Sequence, residues 1–244
     1  AVGRIHNAAQ AVETVTLARR LGFRAISADL IIGLPGQTWL TLSQSLDRLV
    51  SSGIEHLSLY CLSLDDDTPL GKSPPGDLPS DDTQAELFQQ ACSFLEGRQF
   101  AHYEISNFAL KGYECLHNLN YWRGGEYLGL GPSAASHLGG KRFRNRADLD
   151  GYTGKPTGLT EDIEELNTKD KASEEAMLRL RLLREGIEVS ELATRFGHDN
   201  IEALLGRFEH MVGQGLLVSA GSRYLLPRSR VLTSNPIFAE VLGL

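Results

Sequence analysis

The stretch Ala25-Ile26-Ser27-Ala28-Asp29-Leu30-Ile31-Ile32-Gly33-Leu34-Pro35-Gly36-Gln37-Thr38 decides the fold. It is a short apolar run closed by a Pro-Gly turn. Behind it Leu42, Leu46, Leu49 and Val50 recur at helical spacing up to Gly53, and Ile54 to Leu62 is a second apolar run. A strand, a helix and a strand at this spacing form a βαβ unit, which predicts two parallel neighbouring strands joined by a right-handed crossover. Upstream, Ala8, Ala11, Val12, Val15, Ala18 and Leu21 predict a helix closed by Gly22. Downstream, the Asp-, Pro- and Gly-rich stretch 65–79 reads as loop, and Ser80 or Asp81 caps a helix bearing Ala85, Phe88, Ala91, Cys92 and Leu95. A third strand is predicted around Tyr103 to Ile105. The order α, β, α, β, α, β is half of a barrel-like α/β architecture, and half a barrel leaves a sheet edge that must be covered or the piece is poorly stable.

Residues 1–151 belong to this part. Residues 152–171, with Gly154, Pro156, Gly158 and then a run of acids, read as a linker. A second domain, 172–244, begins with a helix through Met177, Leu178, Leu180, Leu182 and Leu183. It continues with helices from Val189 and over Ile201 to Val212, then a hairpin from Gly215–Val218 and Tyr224–Leu226. Three helices and a hairpin describe a winged-helix-like module.

The chain has 244 residues, 41% of them hydrophobic, and a formal charge of -7. From Lys171 to the end, nine basic residues balance nine acidic ones. This argues against the clustered basic footprint of nucleic-acid binding. No apolar run approaches the roughly 20 residues of a membrane span, and no signal-peptide pattern opens the chain. A cytoplasmic protein without a membrane span is expected. The first residues, Ala1-Val2-Gly3-Arg4, carry no initiator Met and read as the start of a fragment or trimmed product. Cys61, Cys92 and Cys115 form neither a disulfide framework nor a CxxC pair, and Cys61 and Cys92 read as small core residues.

Asp29 is a carboxylate inside a strand whose neighbours imply burial on both faces, which costs several kcal/mol unless it is paired or liganded. Two readings answer that cost: hydrogen bonds from a ligand's hydroxyl or amino groups, or an ion pair with a nearby Arg or Lys. Gly33 to Thr38 lacks the lysine and spacing of a phosphate loop and reads as a tight turn, with Thr38 or Thr41 capping the next helix. A second dense stretch, His117-Asn118-Leu119-Asn120-Tyr121-Trp122-Arg123-Gly124-Gly125, has no helical or strand period. Its imidazole is of the type that ligates iron and its aromatics of the type that stack on a flat macrocycle; a hydrogen-bonded structural His and packing aromatics are the other reading. Cys115 is an alternative thiolate ligand. Arg142 and Arg144 are candidates for pairing with propionates, or are solvated surface charges.

The Asp29–Thr38 run, the stretch His102-Tyr103-Glu104-Ile105-Ser106-Asn107-Phe108-Ala109 and the HNxxYW run together resemble the oxygen-independent coproporphyrinogen oxidase-like radical S-adenosylmethionine (SAM) family. The HNxxYW run is similar to its heme-chaperone branch, the HemW type. The resemblance implies the C-terminal half of a partial (β/α) TIM-like radical SAM barrel. It implies SAM contacts from Arg4, Asp29 and Ser63, and a heme site at His117, Asn118, Tyr121 and Trp122 with His117 as heme-iron ligand. It also implies a full-length parent that binds a 4Fe-4S cluster and SAM, holds heme and passes it to heme-accepting proteins. The Cys-x3-Cys-x2-Cys run that holds such a cluster is absent from these 244 residues, so the chain as it stands is not expected to bind the cluster or cleave SAM. The alternatives are an oxygen-independent coproporphyrinogen III oxidase of porphyrin biosynthesis and a protein-interaction module without catalysis.

Overall fold

In the computed structural model, which describes residues 5–155, 158 and 160–244, the chain forms two compact units, 1–115 and 116–244. The first unit opens with α1 (Ala8–Arg20), whose Asn7 side chain accepts from Gln10 N–H while the Gln10 side chain accepts from Asn7 N–H. Then follow β1 (Ser27–Ile32), α2 (Trp39–Ser51) and β2 (His56–Cys61), with β1 and β2 parallel and Ser27 opposite His56. The βαβ unit is therefore present. Its turn is built by side chain and backbone together: Gly33 N–H donates to Gln37 Oε1 (2.7 Å), Gln37 Nε2 donates to Ile31 O (3.2 Å), and Gly36 N–H donates to Asp77 O (3.0 Å). Gly33 sits at φ +92°, open to glycine and costly for other residues. Thr38 caps α2 through a reciprocal bond with Thr41.

A short turn, α3 (Pro69–Lys72), precedes α4 (Asp81–Glu96), capped by Ser80. The third strand, β3 (Ala101–Glu104), does not join β2. It turns through Ile105 and Ser106 into β4 (Asn107–Ala109), and the sheet order is β1-β2-β4-β3 with β4 antiparallel to both neighbours. A three-residue strand carries too little alternation to be read as a strand on its own. Helix α4 lies against β1, β3 and α2. The helix-facing side carries Ile32, Leu57, Leu59 and Phe108, all essentially inaccessible. Each contributes about 1.5–3 kcal/mol of burial.

Two expectations fail here. Asp29 is exposed, not buried on both faces, because β1 is an edge strand and only the Ala28–Leu30–Ile32 side faces helices. Cys61 is also exposed, at the end of β2.

The second unit starts with α5 (Leu116–Trp122). It continues through β5 (Ala135–Leu138), β6 (Lys141–Asn145), α6 (Leu149–Gly154) and β7 (Thr160–Glu164), with β5-β6-β7 an antiparallel sheet. The stretch 152–171 thus differs from a plain linker: it holds a strand paired to β6, bound by Arg142–Glu164 and Arg144–Asp162 ion pairs, and the unit boundary falls at 115/116 and not at 151. Next come α7 (Thr168–Arg179), β8 (Ile187–Glu188), α8 (Val189–Phe196), α9 (His198–Gly213), β9 (Val218–Ala220) and β10 (Arg223–Leu225). After a 3-10 turn, Arg228–Thr233, α10 (Ser234–Leu242) closes the chain as described. The first of these helices starts earlier than its leucines imply, because Asn167 caps it by accepting from Asp170 N–H. It also ends earlier, and Leu180 and Leu182 enter the core from a turn. Strand order β8-β10-β9 ties the helices to the hairpin.

Candidate functional site

The first unit carries Asp29 in the middle of β1 and Ser63 past the end of the neighbouring β2. Asp29 is opposite Ser58 in the β1–β2 ladder, and Ser63 lies exposed two residues beyond β2. Arg4 lies outside the described residues. On the sheet face away from the helices, two polar rows run across the strands. One is Ser27, His56 and Tyr103: Ser27 Oγ is 2.7 Å from His56 Nδ1, His56 Nε2 is 2.8 Å from Tyr103 Oη, and Tyr103 Oη accepts from Cys115 N–H (3.2 Å). The other is Asp29, Ser58, Asn107 and Glu104, set side by side by the ladder registers. Neither Ser58, Asn107 nor Glu104 was singled out from the sequence, because cross-strand neighbours are invisible until register is known.

Burial pushes the His56 pKa down, against the carboxylates of Asp29 and Glu114, which pull it up. A histidine kept neutral by the fold is protonated more readily when unfolded. Its contribution is therefore intact above the ordinary value of about 6.5 and is lost progressively as pH falls from there toward the lowered folded value. Urea unfolding from pH 7.5 to 5 is expected to show the midpoint falling with pH, and His56→Gln is expected to flatten that part of the profile.

In the second unit the HNxxYW run is helical. Helix α5 explains its spacing: His117 and Tyr121, like Asn118 and Trp122, are i, i+4 pairs on one face. The expectation of a run without helical period is corrected by this, since seven residues are too few to show a repeat. His117 is exposed and rests edge-on against Tyr121 (centroids 4.6 Å, 81°), which rests edge-on against Tyr127 (4.4 Å, 73°). Among the described residues neither His117 ring nitrogen has a hydrogen-bond partner. Tyr127 exchanges backbone hydrogen bonds with His137 (2.9 Å each), whose Nδ1 is 3.1 Å from Gly125 O. Burial raises the pKa of Tyr127, so its hydroxyl stays protonated and remains a donor.

Tyr121, Trp122, Tyr127, His137 and Arg142 line a cavity of about 420 Å³, within the range of small-molecule sites. His117 and Asn118 do not line it; they flank it one turn away on α5. Trp122 is packed under Arg181 (5.0 Å), and its Nε1–H has no hydrogen-bond partner among the described residues. The glycines are structural. A Cβ on Gly125 would overlap the Asn120 side chain, and one on Gly129 would overlap Ala135 O. The arginines expected to meet propionates are already paired: Arg142 with Glu164 (2.6 Å) and Glu174, Arg144 with Asp162 (2.6 Å) and Glu161 (3.4 Å). Cys115 is half-buried, its N–H bound to Tyr103.

No group of three His, Cys, Asp or Glu among the described residues is placed to hold a metal, and the three cysteines are widely spaced. The residues of this chain do not fit an iron–sulfur cluster. Among the described residues no helix is long and apolar enough to cross a membrane.

Comparison with known proteins agrees with this architecture. Residues 166–229 match the family model of the HemN C-terminal domain. The solved structure of coproporphyrinogen III oxidase (HemN) from Escherichia coli, a radical SAM enzyme, superposes with a TM-score of 0.78 at 18% identity, over 99% of this chain and 60% of that one. This likeness shows the fold, and the family-model match lies within the second unit. The chain is 31% identical over 246 residues to the heme chaperone HemW of Lactococcus lactis (99% of this chain, 64% of that protein). It is 31% identical over 251 residues to the HemW of Bacillus subtilis (99% and 65%). The chain spans just under two thirds of the length of these relatives, and over that span it is similar to the HemW-type radical SAM proteins.

Proposed function

We propose that this chain is the heme-holding part of a heme chaperone, which passes heme to acceptor proteins in the cytoplasm, and that Asp29, Ser63 and Arg4 contact SAM in the full-length protein. The observation that carries the heme reading is the exposed His117 imidazole, resting edge-on against Tyr121, which in turn rests against Tyr127, with neither ring nitrogen hydrogen-bonded among the described residues. Such a ring is pre-oriented for axial ligation, and the two tyrosine edges beside the cavity give a flat macrocycle an aromatic wall. Tyr121 and Trp122 then bind by packing, and Asn118 supplies an amide beside the iron ligand. When bound, SAM would supply a polar ligand for the first unit, where Asp29 accepts from its hydroxyl or amino groups.

Hemin titration of the full-length protein tests this. A saturable change in the Soret band is expected, and His117→Ala is expected to shift the band and weaken binding at least tenfold. A wild-type titration without saturation overturns the reading, and an unchanged His117→Ala titration moves the iron ligand elsewhere. The coproporphyrinogen III oxidase alternative is decided by anaerobic incubation with SAM and coproporphyrinogen, where protoporphyrinogen formation would favour it over the chaperone.

A further inference from the structure

The two polar rows on the sheet face away from the helices differ in one respect. In the Ser27–His56–Tyr103 row every side chain has a partner. In the Asp29–Ser58–Asn107–Glu104 row one buried acceptor has none. Asn107 is 3% exposed, its Nδ2 donates to the Glu104 carboxylate, and its Oδ1 has no hydrogen-bond partner among the described residues. A carboxylate accepts and does not donate, so the amide nitrogen is held toward Glu104 and the oxygen is turned away from it. A buried amide oxygen left without a donor costs about 1–3 kcal/mol. A native fold retains such an atom where something outside the chain supplies the donor.

The registers say which side chains surround that atom. Asp29 pairs with Ser58, Ser58 with Asn107, and Asn107 with Glu104, so the four side chains share one face and form a line across four strands. The outer member, Asp29, is exposed at the β1 edge, whereas Ser58 and Asn107 are buried. Carboxylate, hydroxyl and amide oxygen in sequence make an acceptor-rich row that ends at a second carboxylate. Its preference is for a ligand rich in N–H or O–H donors, neutral or cationic, and against an anion.

We propose that Asn107 and Ser58 extend the site of Asp29, and that Asn107 Oδ1 accepts a hydrogen bond from an amino or hydroxyl group of the ligand held there. This rests on the reading of Asp29 as a SAM contact and adds two residues to it. Asn107 is a binding residue in this role, and Glu104 is a positioning residue that sets which way the amide faces.

The test uses radiolabelled SAM and equilibrium dialysis on the full-length protein, with the thermal midpoint of each ligand-free variant measured alongside. Asp29→Ala, Asn107→Leu and Ser58→Ala are compared. Asp29→Ala and Asn107→Leu are each expected to raise the Kd about tenfold or more, and Ser58→Ala severalfold, with ligand-free midpoints showing that the variants are folded. If Asp29→Ala weakens SAM while folded Asn107→Leu binds like wild type, Oδ1 is satisfied by a bound water and the extension is overturned, leaving Asp29 in place. If Asp29→Ala binds SAM like wild type, the SAM reading of Asp29 fails, and the extension with it. If Asn107→Leu does not fold, Ser58→Ala decides: a wild-type Kd overturns the proposal and a raised one supports it.

Discussion

Phe208→Ala is expected to destabilise the second unit by about 3–5 kcal/mol, as removal of a fully buried aromatic ring does when the surrounding structure relaxes only in part. Phe208 lies on α9 with no accessible surface and packs against Tyr224 of β10 (centroids 4.9 Å, 47°). It therefore links α9 to the β8-β10-β9 sheet. The loss is the transfer energy of the ring plus a cavity that Leu204 and Met211, held by the same helix, cannot move to fill. Urea unfolding followed by far-ultraviolet circular dichroism measures it. A loss under 1 kcal/mol would mean that the sheet and the helices do not unfold as one body.

Gly186→Ala is expected to cost about 3 kcal/mol or more by a different route. Gly186 has φ +58°, and a Cβ there would overlap Tyr224 O and the Leu225 side chain. The left-handed backbone alone costs an alanine roughly 1–2 kcal/mol. The overlap with a backbone oxygen adds to this, because β8 begins at the next residue and pairs with Tyr224, so relief requires opening the strand pair. Gly221 separates the two terms: its φ is +66° but nothing lies within 4 Å of a Cβ there. Gly221→Ala is therefore expected to lose only about 1 kcal/mol. Equal losses at the two positions in the same unfolding assay would show that overlap with β10 does not contribute.

The candidate sites divide along the same line between local and distant causes. The Gly33–Gln37 part of the turn after β1, the Thr38 cap and the Ser80 cap were legible because each is made by residues within a few positions of one another. Helix α5 is also local, yet its two i, i+4 pairs fill the whole helix and leave no repeat to recognise. Tyr127 and His137, which complete the aromatic wall, sit on a strand bridge between segments ten residues apart, and no sequence pattern marks that bridge. The pairing of Arg142 with Glu164 and Glu174 is equally distant along the chain, which is why those arginines read as available in the sequence and are engaged in the structure.

By itself, the sequence determined the βαβ unit, most of the helices, the capping residues and the family resemblance, because hydrophobic periods, caps and motifs are short-range signals. Only the tertiary structure decided that the third strand enters the sheet through a hairpin, that Asp29 is exposed, and that Ser58, Asn107 and Glu104 stand in line with it. Strand order and register are set by which faces bury together across the sheet, and side chains become neighbours there with no regard to their separation along the chain.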